Sequence, residues 1–254
     1  MGIDKNIHCL SDETKICPRA SRNNKIVLII GKSGAGKDSV AKQLITINHS
    51  ENDTESYLCK KIQFSIPLQY TSRPKRANEV EGKDYIFLKT PEEIDQLLND
   101  KSIFDIRSYA TLHPDSSSDL WYYATNTKSI NLLSDTYLIV GPSTAPLDWV
   151  EKYLIHFGNQ NVILLYIDTP NNDVFEYAMD RENRKDRDKR NYSELCRRYL
   201  DNVAEYEYMD EKIEEFVNQY HVKCIHYQNS RATPDEIFKR IRYIYEEIIG
   251  EIVR

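Results

Sequence analysis

The stretch from Lys25 to Val40 constrains the fold of this chain more than any other. Its first part, KIVLII, is a short apolar run rich in β-branched residues, which is typical of a buried strand. A Gly-rich turn, GKSGAGK, follows, and a helical pattern of apolar residues begins at Val40. A turn that leads from a strand into a helix directs unpaired N–H groups and the positive end of the helix dipole at one point. The sequence therefore predicts an α/β fold with an anion site at this turn.

The spacing Gly31-x4-Gly36-Lys37 is that of the phosphate-binding loop, or P-loop. Its glycines let the backbone curl around a polyphosphate, and the Lys37 ammonium supplies a mobile positive charge to the terminal phosphates. A Gly-rich turn that binds nothing is the alternative, but the strand before it and the helix after it favour a phosphate site. The residues predicted to hold the phosphates are Gly31, Ser33, Gly34, Ala35, Gly36, Lys37, Asp38 and Ser39.

Asp38 departs from the usual P-loop pattern, because a Ser or Thr that holds Mg²⁺ normally follows the lysine. A carboxylate can also hold Mg²⁺, directly or through water, whereas without the metal it would repel phosphates. We therefore predict a metal site at Asp38 and Ser39 and a strong dependence on Mg²⁺. Alternatively, Asp38 only complements the helix dipole and Ser39 alone serves the metal.

Composition narrows the class of protein. A chain of 254 residues with 40% hydrophobic residues can form one large α/β domain with a small insertion. The net charge of −6 argues against a general nucleic-acid binder. Five scattered cysteines without metal-ligand spacing indicate reduced thiols, and neither an apolar leader nor a membrane-length apolar run is present. We predict a cytoplasmic protein without membrane or nucleic-acid partners.

The alternation of strand and helix patterns predicts a parallel sheet covered by helices on both faces. We assign residues 25–65 and 126–254 to this core, 66–125 to a small α+β insertion, and 1–24 to a flexible lead-in. Lys61–Ile66 alternates like a strand, and Tyr70–Arg76 is typical of a basic loop. Thr90, followed by Pro91 and two acids, predicts the start of a helix. The connection between strands at 103–112 and 120–125 is too long for a tight hairpin.

The basic loop places Arg73 and Arg76 three residues apart on a Pro-stiffened segment, where both guanidiniums can reach one phosphate. Tyr85 lies close behind in sequence and can add a hydroxyl donor. The alternative is a solvated surface loop with one core tyrosine.

Residues 71–87, TSRPKRANEVEGKDYIF, closely resemble the substrate-phosphate motif of guanylate kinases, Thr-x-Arg-x-x-Arg-x-x-Glu-x-x-Gly-x-Asp-Tyr-x-Phe. The resemblance extends from about Lys25 to Glu205. It implies a P-loop NTPase core that binds ATP with Mg²⁺, a small domain that binds a nucleoside monophosphate, and a mobile lid. Arg73, Arg76 and Tyr85 match the positions that grip the acceptor phosphate.

Two further segments are similar to the family. In Tyr123-Ala124-Thr125, which resembles a Tyr-Gly-Ser/Thr segment, Tyr123 would contact the phosphate and Thr125 the base. The alternative is a packed aromatic strand. The charge run at about 181–191 matches the lid, where Arg184 and Arg187 are the preferred catalytic arginines and Arg181 is the other candidate.

The segment Arg197-Arg198-Tyr199-x-x-Asn202-x-x-Glu205 is similar to the family's Arg-Leu-x-x-Ala-x-x-Glu helix, in which Arg198 would reach the phosphates. Alternatively, the two arginines form ion pairs on the helix surface with Glu194 or Asp201.

The base-reading acids of the family are not where the alignment expects them. Arg107 takes the place of the acid in the strand before Tyr123, and Asp105 lies two residues earlier. An arginine only donates hydrogen bonds, so Arg107 is predicted to bind substrate through base acceptors such as guanine O6 and N7. An acidic strand end is also missing, because Ile139-Val140-Gly141-Pro142 stands there.

Three hypotheses remain open from the sequence. The first is an ATP-dependent kinase of a nucleoside monophosphate, with GMP or dGMP as the first candidate. The second is the same chemistry on another or modified (deoxy)nucleotide. The third is an inactive guanylate-kinase-like module that binds proteins: Lys37, Arg73 and Arg76 argue against it, and Asp38 and Arg107 argue for it. The oligomeric state is not determined by the sequence.

Overall fold

The computed structural model describes residues 24–54, 62–76, 79–113, 115, 117–133 and 135–253. The predicted flexible lead-in, apart from Asn24, lies outside these residues, as do three of the five cysteines. The other two, Cys196 and Cys224, are free thiols.

The strands in the described residues are β1 (Ile26–Gly31), β2 (Phe64–Ser65), β3 (Gln69–Thr71), β4 (Tyr85–Phe87), β5 (Ile103–Leu112), β6 (Ser118–Asn126), β7 (Thr136–Val140), β8 (Val162–Asp168) and β9 (Lys223–Gln228). The α-helices are α1 (Lys37–Thr54), α2 (Pro91–Asn99), α3 (Pro146–Phe157), α4 (Asn171–Asn183), α5 (Tyr192–Glu205), α6 (Met209–Tyr220) and α7 (Pro234–Val253).

A five-stranded parallel sheet, in the order β2-β7-β1-β8-β9, forms the centre of the protein. β1 is buried along its whole length because it pairs with β7 on one side and β8 on the other. Val27 and Ile29 pack on one face with α1 and α7, while Ile26, Leu28 and Ile30 pack on the other with α3 and α6. The predicted α/β class, with a parallel sheet between helices, is confirmed.

A second, four-stranded sheet has the order β4-β3-β6-β5 and rests on a small apolar cluster of its own, centred on Leu97, Ile103 and Ala124. β5 and β6 form a long antiparallel hairpin in which Leu112 pairs with Ser118. The strand β6 therefore starts two residues before the predicted position 120, and the connection is shorter than predicted. α2 starts as predicted, with Thr90 and Glu93 forming a capping box and Pro91 in the first turn.

Two local predictions were wrong in extent. Of the expected strand at 61–66, the described residues 62–66 form only the two-residue β2 at the sheet edge. The expected loop from Tyr70 starts as β3, because its backbone finds partners in both β4 and β6. The charge run at 181–191 is divided between the end of α4, a short 3-10 turn at Arg187–Lys189 and the cap of α5 at Asn191.

Candidate active site

The P-loop joins β1 to α1 at the carboxyl edge of the central sheet. Gly31 passes so close to β8 that a Cβ there would lie 2.6 Å from the Ile167 carbonyl oxygen, and its φ of +151° is rarely adopted by other residues. Gly36, with φ of +87°, brings the loop back to the helix start and leaves a Cβ only 3.1 Å from the Asn229 side chain. Glycine is therefore required at both ends of the predicted loop.

Lys37 begins α1 and folds back over the loop. Its ammonium donates hydrogen bonds to the carbonyl oxygens of Gly31 at 2.7 Å and Lys32 at 3.0 Å. Burial lowers the pKa of Lys37 to about 8; the adjacent Asp38 opposes this change, and the positive charge of Arg107 adds to it. An anion at the loop would raise this pKa again, so the ammonium is placed to respond to a phosphate group.

Two asparagines hold the loop from outside it. The Asn202 side chain of α5 accepts from the Ser33 N–H at 2.8 Å and donates to the Ser33 carbonyl at 3.0 Å. Asn229 donates to the Ala35 carbonyl at 2.8 Å. Sequence reasoning did not assign either residue to the site, although Asn202 falls within the helix motif at 197–205.

The second cationic cluster is built around Glu79. Arg73, only 4% exposed, donates through both terminal nitrogens to the Glu79 carboxylate and lies over the rings of Tyr85 and Phe87, at 5.1 and 5.6 Å from their centroids. The hydrogen bond from Arg73 is the main reason that the pKa of Glu79 is lowered. Glu79 also accepts from the Arg76 N–H at 2.9 Å, and the Arg76 side chain remains largely exposed. Glu79, the glutamate of the motif at 71–87, thus orders both arginines.

The long hairpin contributes Arg107 and Tyr123, which are cross-strand partners. Asp105 is instead paired with Thr125. The sequence alignment put Arg107 in the place of the base-reading acid, and the structure pairs that residue with Tyr123, in a register that is continuous from Asp105 to Leu112. An acid does lie beside Thr125, but it is fully buried.

Asp105 and Thr125 belong to one buried hydrogen-bond network beneath the site, in which Asp105 Oδ1 has no hydrogen-bond partner among the described residues. One Asp105 oxygen accepts from Trp149 Nε1 at 2.9 Å, from the Tyr153 hydroxyl at 3.2 Å and from Thr125 Oγ1 at 3.3 Å, and Gln69 donates to the same threonine hydroxyl. Both Asp105 and Thr125 are 0% exposed, so the position of Thr125 does not support the predicted contact with a base. The two residues shape the floor of the site.

The two clusters meet in one cleft of about 590 Å³. Its charged and tyrosine side chains include Lys37, Asp38, Arg73, Arg76, Tyr85, Arg107, Tyr123, Asp148, Lys152, Arg181 and Arg198. Ser33 and Gly34 of the P-loop also line it. The structure thus brings most of the predicted site residues together around one cavity. The predicted site residues that are not among those lining it include Gly31, Ala35, Gly36, Ser39 and Thr125.

Three arginines are predicted for a lid, and all three are exposed. Arg181, in the last turn of α4, lines the cleft, whereas Arg184 and Arg187 do not. Burial lowers the pKa of Arg181, and the positive charges of Arg198 and Arg76 lower it further. The register of helix α4 is the physical reason, because it directs residue 181 towards the cleft and ends before residue 187.

Arg197 and Arg198 form the ion pairs that were the alternative interpretation of the helix motif. Glu194 accepts from Arg197 Nε at 2.8 Å and from Arg198 Nε at 2.6 Å, and Arg197 also pairs with Asp201 at 2.6 Å. Arg198 nevertheless lines the cleft, so its ion pair and its predicted role at the phosphates are compatible.

No group of three or more His, Cys, Asp or Glu side chains in the described ranges could hold a metal ion by itself. Mg²⁺ at phosphoryl-transfer sites commonly uses one or two carboxylates, several waters and the phosphates of the substrate. Asp38 supplies one carboxylate at the cleft, beside Lys37, and this donor set fits Mg²⁺ carried on a polyphosphate.

Fold and site together define a P-loop protein of the nucleoside monophosphate kinase class, with two cationic clusters on one cleft. A profile of the guanylate kinase family matches residues 23–219, well over half of the chain. The chain therefore belongs to the guanylate kinase family. Within the part that the structure describes, no helix is both long and apolar enough to cross a membrane.

Individual relatives are distant. The guanylate kinase of Rickettsia conorii is 26% identical over 192 residues, which cover 74% of this chain and 72% of that protein. The guanylate kinase of Mycoplasmoides gallisepticum is 30% identical over 90 residues, which cover 35% of this chain and 40% of that protein. The guanylate kinase structure from Anaplasma phagocytophilum matches 88% of this chain and 85% of that chain, with a TM-score of 0.49 and 15% identity. The match thus spans less than half of the Mycoplasmoides relative, and identities of this size leave the acceptor base open.

Proposed function

We propose that this chain transfers the γ-phosphoryl group of ATP to a nucleoside monophosphate, with GMP or dGMP as the first acceptor. The observation that carries the proposal is the convergence of cationic side chains from six separate segments, the P-loop, the 73–76 loop, β5, α3, α4 and α5, on one cleft. A site that must hold two phosphorylated ligands end to end needs this concentration of positive charge, whereas one nucleotide bound at a P-loop does not.

Each cluster has its own role in the proposed reaction. The P-loop amides and Lys37 bind the β- and γ-phosphates of ATP, since they lie at the N-terminus of α1, where unpaired N–H groups favour an anion. Arg73, Arg76 and Tyr85 hold the acceptor phosphate in line with the γ-phosphorus. Arg181 and Arg198 approach from the lid and stabilise the charge that spreads over the transferred group. The reaction needs no strong general base, because an acceptor phosphate oxygen is already an anion.

Asp38 is the residue that would hold Mg²⁺ in the proposed enzyme. When bound, Mg²⁺ neutralises part of the charge on the ATP phosphates. Asp38 lines the cleft and Ser39 does not, which favours the carboxylate over the serine as the metal contact. The scattered cysteines remain the reason to expect a cytoplasmic location.

Another acceptor base is the second candidate, and a specific observation favours keeping it. Asp105, the acid beside Thr125, is fully buried and accepts hydrogen bonds from Trp149 and Tyr153. Its Oδ2 atom accepts from these groups, so the N1–H and amino group of guanine would have to use the other oxygen, Oδ1, which is buried. The first test is therefore ADP release with Mg-ATP and a panel of ribo- and deoxynucleoside monophosphates covering all common bases.

We expect GMP and dGMP to give the highest kcat/KM in this panel. A higher kcat/KM for a nucleotide with another base would show that guanine is not the preferred base, and the proposed kinase activity would still hold. No ADP release from folded protein across the whole panel would contradict the proposed activity and favour a protein-binding module. Omission of Mg²⁺, with chelator present, is expected to lower turnover to background.

The pH dependence of the reaction tests Lys37. Its pKa of about 8 belongs to the free enzyme, so the ammonium loses its proton as the pH rises from 7 to 9. We expect kcat/KM for ATP to fall above pH 8, because the neutral amine binds phosphate less well. At saturating ATP the bound phosphates restore the ammonium, so kcat should stay nearly constant over the same range. A flat kcat/KM profile up to pH 9 would contradict this assignment.

A further inference from the structure

Arg107 is the cation that β5 contributes to the cleft. It lies on β5 directly across from Tyr123 on β6, and its guanidinium carbon is 6.0 Å from the centroid of the Tyr123 ring and 5.4 Å from that of the Trp149 ring. The side chain is 16% exposed and lines the cleft. The two aromatic rings hold the guanidinium in place without using its N–H groups.

The guanidinium of Arg107 is short of partners. Its nearest charged neighbour in the described ranges is Asp105, at 3.5 Å from Nε, and the buried Nε donates no hydrogen bond there. Arg73 and Arg198, by contrast, donate to Glu79 and Glu194. An arginine that carries donors into a cleft without satisfying them in the protein is prepared for an external acceptor.

Arg107 is the last member of a continuous row of four side chains. Arg73 lies 5.1 Å from the centroid of the Tyr85 ring, the Tyr85 and Tyr123 rings are 6.3 Å apart, and Arg107 follows at 6.0 Å from Tyr123. Two guanidiniums therefore flank two tyrosines. A phosphate that accepts from both tyrosine hydroxyls would have an arginine on each side.

The charge of Arg107 indicates which group of the nucleotide accepts its hydrogen bonds, the phosphate or the base. Arg107 contributes to lowering the pKa of Lys37 and opposes the increase in the pKa of Tyr85, so its charge acts on both anion clusters. Thr125, the residue expected at the base, lies instead with Asp105 in the buried network and is 0% exposed. The predicted phosphate ligands Tyr85 and Tyr123 thus line the cleft beside Arg107, whereas the predicted base ligand Thr125 does not.

We propose that Arg107 binds the phosphate group of the acceptor nucleotide, as a third arginine beside Arg73 and Arg76, and does not read the base. This inference rests on the proposed function, since it assumes that the second cluster holds a monophosphate.

The test compares Arg107→Gln and Arg107→Lys with the wild-type chain. Binding of the best monophosphate from the panel, and of the nucleoside with the same base, is measured by titration calorimetry. Arg107→Gln should weaken binding of the monophosphate about tenfold or more, the effect of losing a charge-assisted hydrogen bond. Nucleoside affinity should change by less than about twofold, since the base contacts are kept. Arg107→Lys should lie between, because it keeps the charge and loses the fork.

Lys101→Gln is the matched control, because Lys101 is an exposed cation immediately before β5 and does not line the cleft. It should leave both affinities unchanged. The ratio of kcat/KM values between the best two bases should also be the same in Arg107→Gln and wild type. A changed base ratio, or equal weakening of nucleoside and monophosphate, would show that Arg107 reads the base and would overturn the inference.

Unchanged affinity for both ligands would overturn the inference as well. If Arg107→Gln fails to fold, the same comparison is made with Arg107→Lys. The calorimetric result is independent of turnover. A wild-type chain that binds a monophosphate but releases no ADP would therefore contradict the proposed function while still deciding the role of Arg107.

Discussion

Lys37→Ala is expected to lower kcat at least about a thousandfold while leaving the protein folded. The ammonium is the cation nearest the loop carbonyls of Gly31 and Lys32, at 2.7 and 3.0 Å, and it follows the loop into the cleft. Without it, the charge that develops between the β- and γ-phosphates during transfer loses its closest partner. The measurement is ADP release at saturating Mg-ATP, together with a thermal unfolding curve.

Lys42→Ala is the matched control, because Lys42 lies on the same helix, is exposed and does not line the cleft. We expect near wild-type kcat for it. Turnover of Lys37→Ala within tenfold of wild type would show that the loop does not act on the transferred phosphate, and the proposed mechanism would then be wrong.

Glu194→Ala is expected to lower the free energy of unfolding by about 3 kcal/mol, the usual cost of removing one partner from a buried ion pair. Glu194, whose side chain is 9% exposed, joins helix α5 to the β5–β6 hairpin. It accepts from both arginines on its own helix, from the Tyr109 hydroxyl at 2.8 Å and from the Leu112 N–H at 3.0 Å. Urea denaturation measures the change.

Asp201→Ala provides the comparison, because Asp201 pairs with Arg197 at a similar distance but is 52% exposed. A solvated pair of this kind contributes less than about 1 kcal/mol. Equal effects of the two substitutions would show that the contacts of Glu194 with β5 do not stabilise the fold.

The acid sensitivity of the protein provides a second measurement of the same residue. Burial opposes the charged form of Glu194, but hydrogen bonds from Arg197, Arg198 and Tyr109 lower its pKa from 4.5 to about 2. Because the folded pKa lies below the unfolded one, its stabilising contribution is complete above pH 4.5 and is lost as the pH falls from 4.5 towards 2. In Glu194→Ala this part of the pH dependence should be absent.

Several features of the site are predicted well because they are local. The strand, the Gly-rich turn and the first residues of α1 are contiguous, and each glycine is required by its own backbone angle or by a close approach. The same holds for the capping box of α2 and for the loop at 73–76, where Arg73, Arg76 and their shared partner Glu79 lie within seven residues.

Features that depend on register or on distant segments were not predictable. Sequence comparison set Arg107 in the place of an acid, and only the pairing of β5 with β6 shows that Asp105 lies beside Thr125 and Arg107 beside Tyr123. The choice of Arg181 over Arg184 and Arg187 depends on where α4 ends and on which way its last turn faces. A shift of one residue changes the face of a strand, and a few residues along a helix change its direction by a large fraction of a turn.

The amino-acid sequence alone determined the class of fold, the phosphate-binding turn and the arginine loop, because short-range backbone and side-chain chemistry is sufficient for each. Only the tertiary structure decided which cations share a cleft, which acid is buried beneath it and which lid arginine reaches it. Those outcomes depend on contacts between residues far apart in the chain, such as Asn202 with Ser33 and Trp149 with Asp105. Their geometry is set by packing and strand register, which no local pattern records.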